Sequence, residues 1–362
     1  MRRIPYIALL LAAAACSGSN NNDDDNVEPM DAGTSFDATV RDAGPRDAGP
    51  DRTADAGFAD PSVILQGNER VLGAKAYMEV RGTLTSTMPP VLFLATGPLV
   101  GLEYLVEPFR FLLGPGGVED PDRLLIFADL RAVGRSSFGS TGTATVSFEN
   151  HLIDMDNYLL HLEDRLGITG PYDLVGHGYG GALAAHYQLQ HPEKVSRIVL
   201  VNPFPTDISE LAESNAEADD RLTSPDRIRL QQLTMWQVCF RDLNRCSLEV
   251  WRVRGKHYLC PEKIALFDTL QFEHADVRAF FFHVEPRLRE AMYDWEDELR
   301  QVSAPTTMIT GACDTQPPRT FDRWESFVPN LERHDLSESG HFPMVEEPDR
   351  FRWLVKRALT YP

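Results

Sequence analysis

The fold is decided by residues 172–187, which read YDLVGHGYGGALAAHY. The stretch begins with a short, mainly apolar run, passes through four glycines within six residues, and continues into an alanine-rich segment without a helix breaker. Glycine permits backbone angles that other residues avoid, so such a run is typical of a tight turn. We therefore predict a buried strand that enters a helix through a turn centred on Gly178.

Strands and helices alternate around this stretch. Apolar runs that predict strands lie at 91–95, 123–128, 198–201 and 305–311, with a short one at 331–334. Helical spacing of apolar residues lies at 102–113, 148–166 and 344–359. Continuous apolar strands are typical of parallel sheets covered on both faces. The sequence predicts an α/β fold with a doubly wound, mostly parallel sheet, and an edge strand or hairpin at 72–84.

The alternation stops between residues 206 and 298. This region is polar and helical, is rich in arginine, glutamate and aromatic residues, and holds three of the cysteines. We predict that it is a helical cap, inserted between two parts of the core at 61–205 and 299–362.

The N-terminus predicts export. Two arginines precede an apolar run of about a dozen residues, which is shorter than the roughly 20 that span a membrane. The small residues directly before Cys16 resemble a bacterial lipobox, which implies a signal peptide at 1–15 and acylation of the Cys16 thiol. An ordinary signal peptide cut nearby is the alternative. Ser17, rather than aspartate, follows the cysteine and favours the outer membrane as the site of this lipid-anchored envelope protein.

Residues 16–60 predict a disordered acidic linker behind the acylated cysteine. Repeated Asp-Ala-Gly units follow runs of Asn and Asp, and residues 17–60 hold eleven acids against three arginines. So few apolar groups cannot offset the entropy of the chain. The whole chain has a net charge of −19, which excludes nucleic acid as a partner because phosphate binding needs a basic surface.

Four further cysteines bear on the cap and its surroundings: Cys239, Cys246, Cys260 and Cys313. In an oxidising compartment they predict up to two disulfides, with three possible connectivities, and buried free thiols are the alternative. The chain has no CxxC pair and no cysteine and histidine cluster, so we predict no metal site.

Five local patterns, in order along the chain, resemble those of the α/β-hydrolase fold. LATGP at 94–98 stands at the position of an HGxP-type oxyanion loop, and DLRAVGRS at 129–136 resembles a D-x-R-x-x-G-x-S turn. GHGYGG at 176–181 stands at the nucleophile elbow, where G-x-S-x-G is usual. GACD at 311–314 and SGHFPMVEEP at 339–348 resemble the acid and histidine loops. The resemblance covers about 62–362 and is closest to the cap-bearing, prolyl-aminopeptidase-like branch.

The resemblance implies roles for individual residues. In such a site a histidine takes the proton of the elbow serine, a carboxylate orients the histidine, and two backbone N–H groups stabilise the oxyanion. His341 takes the part of the base and Asp314 that of the orienting acid. The N–H groups of Gly97 and Tyr179 would form the oxyanion hole. Gly178 stands at the nucleophile position and has no side chain to offer.

Other residues near these motifs receive no catalytic role. His177 is interpreted as ordinary motif filling, and Cys313 as a disulfide or buried thiol rather than a nucleophile. Ser136 and Ser137 lie on a loop that often approaches such a site, but nothing in the sequence directs them at the base. Residues 176–181 also match G-x-G-x-x-G, yet the next strand ends without the acid that a dinucleotide site requires. We therefore predict no cofactor.

Three functions stay open for an envelope lipoprotein of this kind. The first is a degenerate serine hydrolase or peptidase that binds a small acyl, ester or peptide-like ligand, because losing the nucleophile costs on the order of 10⁶ in rate. The second is an active hydrolase in which His341 and Asp314 activate a water in the space beside Gly178. The third is a structural or interaction lipoprotein. Cap acids such as Glu285 and Glu296 are candidates for binding a peptide amine, and the membrane is a partner through the lipid anchor.

Overall fold

The computed structural model describes residues 60–71, 74–114, 123–136, 146–235, 243–277 and 279–360. The predictions for the signal peptide, for Cys16, for all of the linker before Asp60, for Ser137 and for Cys239 lie outside these residues.

An eight-stranded sheet forms the centre of the part of the chain that the structure describes. Its strands are β1 Val63–Val71, β2 Ala74–Arg81, β3 Val91–Leu94, β4 Leu125–Ala128, β5 Tyr172–His177, β6 Val195–Val201, β7 Thr306–Gly311 and β8 Leu331–Leu336. Their order across the sheet is β1-β2-β4-β3-β5-β6-β7-β8. The pairs β1–β2 and β2–β4 are antiparallel and the others are parallel. The predicted mostly parallel α/β sheet is confirmed.

The hairpin at the sheet edge begins earlier than predicted. The sequence indicated an edge strand or hairpin at 72–84, whereas β1 starts at Val63 and pairs with β2 along its length. The central residues of β1 alternate between half-buried and exposed and include polar side chains. An edge strand of this composition has no apolar run by which the sequence would reveal it.

The helices cover both faces of the sheet. They are α1 Glu103–Val106, α2 Phe148–Leu166, α3 Tyr179–Gln190, α4 Ile208–Asp220, α5 Ser224–Met235, α6 Leu243–Gly255, α7 Glu285–Glu290, α8 Glu296–Leu299, α9 Pro318–Phe327, α10 Pro343–Glu346 and α11 Pro348–Thr360. Tighter helical turns occupy Arg110–Leu113, Pro192–Lys194, Lys256–Tyr258 and Pro261–Thr269, and a wider one occupies Ala279–Val284. The single closing helix predicted at 344–359 is two helices, because Pro348 cannot continue α10 but suits the first position of α11.

Side chains from one strand enter two different apolar clusters. Leu92 and Leu94 of β3 belong to a cluster with α2 and α3, whereas Val91 and Phe93 belong to a cluster with α1 and α11. Successive side chains of a strand point to opposite faces, so a strand buried on both faces must be apolar throughout. This explains why the sequence predicted the central strands well.

The loops that carry the predicted site residues all lie at one edge of the sheet. Because β3, β5, β6, β7 and β8 run parallel, their carboxyl ends meet at the same edge, which is where open α/β sheets bind ligands. Thr96, Gly178, Asn202, Asp314 and His341 follow these strands in that order. The helices α4 to α8 and their connecting turns, within the region predicted as a cap, lie in the sequence between β6 and β7. Among the described helices, none has the length and apolar character that a membrane crossing requires.

Candidate active site

The turn after β5 has the geometry of a sharp strand-to-helix elbow. Gly178 adopts φ 53° and ψ −118°, and α3 begins at the next residue. The turn is held by the N–H of Gly178, which donates to Val201 O over 2.9 Å. A Cβ on Gly180 would lie 2.3 Å from Leu94 O, so β3 and α3 can approach this closely only with glycine there.

The side-chain space at Gly178 is already filled. A Cβ on Gly178 would lie 2.3 Å from Thr96 Oγ1 and 3.3 Å from His341 Nε2. Thr96 Oγ1 itself lies 2.8 Å from His341 Nε2, within hydrogen-bond distance. The threonine hydroxyl thus takes the room that a side chain on Gly178 would need. The hypothesis of a water beside Gly178, activated by His341 and Asp314, stays a prediction.

His341 and Asp314 form a buried hydrogen bond. Nδ1 of His341 lies 2.8 Å from Asp314 Oδ2, and the Asp314 side chain is only 1% exposed. The other carboxylate oxygen accepts from the N–H of Gln316 over 3.3 Å. A carboxylate can only accept hydrogen bonds, so Nδ1 of His341 donates. In the neutral ring, Nε2 then accepts from the hydroxyl of Thr96.

A second set of hydrogen bonds connects Thr96 to the backbone of His341. The N–H of Thr96 donates to Tyr104 Oη over 2.8 Å, and Tyr104 Oη lies 2.8 Å from His177 Nδ1. His177 Nε2 donates to the carbonyl of His341 over 2.7 Å, which fixes the tautomer and leaves Nδ1 to accept from Tyr104. Burial holds the pKa of His177 well below its usual range, with the nearby His341 adding to the effect. His177 therefore stays neutral and has a positioning contact that the sequence analysis did not assign to it.

The loop that carries His341 is held from two further sides. Asn202 Nδ2 donates to the carbonyls of Gly340 and His341, each over 3.1 Å, while its Oδ1 accepts from Gly311 N over 2.8 Å. Glu346 Oε2 accepts from the N–H of Gly340 over 2.9 Å. Burial raises the pKa of Glu346. The acid and histidine loops are thus tied to each other through buried side chains.

The cap is bonded to the loop that carries Asp314. Cys313, the neighbour of Asp314, forms a disulfide with Cys260, and the two positions are 53 apart in sequence. Arg221 on the cap side donates to the carbonyls of Cys313 over 2.7 Å and Asp314 over 3.0 Å. Cys246 is disulfide-bonded as well. Cys313 is therefore a structural residue and not a free thiol.

Two residues with backbone N–H groups of interest line the same pocket as His341. Gly97 and Tyr179, the residues that the family resemblance assigned to an oxyanion hole, both line it. Within the described ranges, neither N–H donates to another protein group. Unpaired backbone donors at a helix start and in a left-handed glycine turn favour binding of a developing negative charge.

The pocket at the sheet edge is small and mainly apolar. It has a volume of about 80 Å³ and is open to solvent on one side. Its described lining holds no Asp, Glu, Lys or Arg; the side chains around the site are those of Leu99, Phe204, Leu211, Ser214, Asn215, Trp251, Tyr258, Phe280, Phe281, Thr315 and Gln316. Such a surface suits a neutral, mainly apolar group.

Several predicted candidates lie elsewhere. Ser136 Oγ donates to the carbonyl of Asp129 over 2.6 Å and accepts from Tyr77 N over 2.9 Å, so it stabilises its own turn. Glu285 pairs with Arg289 and Glu296 with Arg300, each four residues further along the chain. Neither glutamate lines the pocket. A carboxylate for a peptide amine is therefore absent among the described residues of this pocket.

Comparison with known proteins agrees with the architecture. A sequence model described as the alpha/beta hydrolase fold matches residues 89–232. The chain is similar to a proline iminopeptidase of Heyndrickxia coagulans, with 22% identity over 205 residues that cover 50% of this chain and 64% of the relative. It spans 52% to 65% of the length of three curated relatives that it matches.

Solved structures resemble the chain over most of its length. VinJ superposes with a TM-score of 0.59 at 21% identity, covering 82% of this chain and 98% of VinJ. A proline iminopeptidase-related protein of Thermus thermophilus gives a TM-score of 0.57 at 20% identity, covering 82% of this chain and 96% of that protein. Identities at this level show the fold alone. With the sheet order, the elbow and the family model over residues 89–232, they show that the chain has the α/β-hydrolase fold.

Proposed function

We propose that the chain is a hydrolase of small, uncharged acyl esters or amides, with His341 as the general base and Asp314 as the acid that orients it. One observation carries this proposal: the hydrogen bond between His341 Nδ1 and Asp314 Oδ2, at 2.8 Å and buried, leaves Nε2 directed at the pocket side. A base held in one tautomer beside free backbone donors has the parts that acyl transfer requires.

The geometry favours an active hydrolase over the degenerate binder that the missing serine suggested. In a decayed site, we expect the polar groups to lose their partners, because no function retains them. Here Nδ1 and Nε2 of His341 each have a hydrogen-bond partner within 2.8 Å, and Asp314 has further donors around it. The name of the iminopeptidase relative supports hydrolysis of an acyl–nitrogen bond.

The pocket favours a neutral acyl group over a charged aminoacyl group. Burying an ammonium group without a carboxylate partner is costly, and the described lining offers no carboxylate. Aromatic and aliphatic side chains such as Leu99, Trp251 and Phe280 supply apolar surface instead. The volume of about 80 Å³ favours short acyl chains over long ones.

We also propose that the chain acts on the cell envelope as a lipoprotein anchored through Cys16. The support is the sequence alone: the apolar run, the small residues before Cys16, and the acidic linker that follows. Incorporation of labelled palmitate into the native chain, with none in Cys16→Ser, is the expected result. Equal labelling of both chains would reject the anchor.

The enzymatic proposal is tested with a panel of p-nitrophenyl esters of increasing chain length and of aminoacyl naphthylamides. We expect turnover of short neutral esters, and His341→Gln is expected to lower kcat/KM by about 10²–10⁴-fold, the usual contribution of a general base. His161→Gln, which changes a histidine that pairs with Glu69 outside the pocket, is the matched control. Absence of turnover across the panel, or equal turnover by native chain and His341→Gln, would reject the proposal. A preference for aminoacyl naphthylamides would reject the substrate class.

A further inference from the structure

We propose that Thr96 Oγ1 is the nucleophile of this hydrolase, in place of the serine that Gly178 cannot supply. The inference rests on the proposed function, since it needs His341 to act as a base on acyl substrates. It assigns a catalytic part to a residue of the loop after β3, where the family resemblance implied only a backbone donor.

The first support is that the Thr96 hydroxyl occupies the space that a side chain on residue 178 would need. A Cβ on residue 178 would lie 2.3 Å from Thr96 Oγ1, which is far inside van der Waals contact. A serine at the elbow and a threonine hydroxyl in its present position cannot coexist. Glycine at 178 is therefore what permits Oγ1 of Thr96 to reach the base.

The second support is the contact with the base itself. Thr96 Oγ1 lies 2.8 Å from His341 Nε2, and both residues are 7% exposed at the floor of the pocket. Nucleophile and base within hydrogen-bond reach, with the base oriented by a third group, is the arrangement that activates a hydroxyl. Asp314 supplies that third group from the opposite side of the ring.

The third support is that Thr96 is fixed in position. Its N–H donates to Tyr104, which bonds to His177, which in turn donates to the carbonyl of His341. Nucleophile and base are thus connected through buried groups as well as directly. Such preorganisation is required where an attack must occur at a defined angle and distance.

Three other hydroxyls of the described pocket, those of Ser214, Thr315 and Tyr179, lie close to partners other than His341. Ser214 Oγ lies 3.4 Å from Thr315 Oγ1, and Tyr179 Oη lies 2.9 Å from His151 Nδ1. Of the pocket-lining side chains that the structure describes, it is the Thr96 hydroxyl that contacts Nε2 of His341.

The proposed reaction has two steps. In the first, Oγ1 attacks the carbonyl carbon while its proton moves to His341 Nε2, and the oxyanion forms beside the N–H groups of Gly97 and Tyr179. The carbonyl reforms as the bond to the leaving group breaks, and the leaving group takes the proton from Nε2. In the second, a water attacks the Thr96 ester, its proton passes to Nε2, and the carboxylic acid departs as Oγ1 regains that proton.

The test uses an alkyl fluorophosphonate, which forms a stable adduct with an activated hydroxyl, on the full chain. Intact mass and peptide mapping locate the adduct, and the ester panel is run in parallel. We expect the adduct on Thr96, its loss in Thr96→Val, and its retention in Thr96→Ser. Turnover is expected to fall by on the order of 10³-fold or more in Thr96→Val. Thr85→Val, at an exposed threonine outside the pocket, should react as the native chain does.

Each outcome decides between the two proposals. If the native chain hydrolyses esters but Thr96→Val does so equally, a water is the nucleophile, and the inference fails while the proposed function stands. If Thr96 is labelled and only the aminoacyl naphthylamides are cleaved, the inference stands and the substrate class fails. If Thr96 is labelled and nothing in the panel is cleaved, the hydroxyl is activated but the proposed function fails, and the inference that Thr96 is the nucleophile of a hydrolase fails with it. An adduct at another residue, or no adduct at all, overturns the inference. Circular dichroism of Thr96→Val and the hydroxyl-retaining Thr96→Ser distinguish chemistry from misfolding.

Discussion

The stability of Gly178→Ala measures whether Thr96 occupies the elbow space. Alanine at φ 53° and ψ −118° costs about 1–3 kcal/mol, because L residues with a Cβ rarely adopt this backbone conformation. Its methyl, placed 2.3 Å from Thr96 Oγ1, adds an overpacking cost of about 1–3 kcal/mol. We therefore expect Gly178→Ala to lower the free energy of unfolding by about 2–6 kcal/mol.

A double-mutant cycle separates the two contributions. Thr96→Ala removes Oγ1 and leaves Cβ 3.1 Å from the new methyl, so the overpacking cost is relieved while the backbone cost stays. Thr96→Ala by itself is expected to cost about 1 kcal/mol for the lost hydrogen bond to His341. The double variant should then be more stable than the sum of the single changes by about 1–3 kcal/mol.

The assay is urea unfolding of the oxidised chain, followed by tryptophan fluorescence and by circular dichroism. Coincident transitions in the two signals justify comparing free energies of unfolding among the four chains. If the two changes add to within about 0.5 kcal/mol, the Thr96 hydroxyl does not lie in the space beside Gly178. The overlap between the two positions, and the nucleophile inference with it, would then be refuted.

Three further outcomes are expected. The double variant Thr96→Ala with Gly178→Ser moves the hydroxyl to the elbow. We expect fluorophosphonate to label it at residue 178. No label there would contradict the idea that a hydroxyl at either position can reach His341. Replacing Cys260 and Cys313 by alanine should lower the free energy of unfolding by about 4 kcal/mol for a sequence separation of 53, measured by urea unfolding against the native chain. Burial lowers the pKa of His151 to about 4, whereas the pKa of histidine in the unfolded chain is about 6.5. The contribution of His151 to the free energy of unfolding is therefore complete above pH 6.5 and is lost as the pH falls towards 4. The total loss from this residue is about 3 kcal/mol. His151→Gln should weaken this loss of stability between pH 6.5 and 4, as measured by urea unfolding at a series of pH values. The same pH dependence in His151→Gln and in the native chain would contradict the lowered pKa of His151.

The architecture followed from the sequence because its signals are local. The apolar runs at β3, β6 and β7 mark strands buried on both faces, and no other environment suits them so well. The four glycines of 176–181 indicate the elbow because a tight turn between closely packed elements needs residues without a side chain. At Gly180, for example, the close approach to Leu94 leaves no room for a Cβ. The edge strand β1 was missed because its polar alternation resembles that of a loop.

The contacts of Thr96 could not be read in the same way. Thr96 and His341 are 245 positions apart, and the direction of a loop side chain depends on what packs around it. Thr96 precedes Gly97 in the LATGP motif, and the motif assigns a role to the backbone N–H of Gly97 but none to the threonine hydroxyl. His177 was likewise set aside, although it bridges Tyr104 and the carbonyl of His341. The sequence did contain one indication of this role for Thr96. The chain lacks the elbow serine, and it carries a hydroxyl residue in the loop that stands at the position of the oxyanion loop.

The geometry of the elbow explains why either residue 96 or residue 178 could carry the hydroxyl next to His341. Catalysis depends on where an oxygen lies relative to Nε2 and the backbone donors, and the residue that carries the oxygen matters less. The carboxyl ends of β3 and β5 are adjacent in the sheet, so residues 96 and 178 approach the same point from neighbouring strands. One of the two positions must then be small for the other to present a hydroxyl. In this chain the small residue is at the elbow, and the Thr96 hydroxyl lies 2.8 Å from Nε2 of His341, whose Nδ1 contacts Asp314.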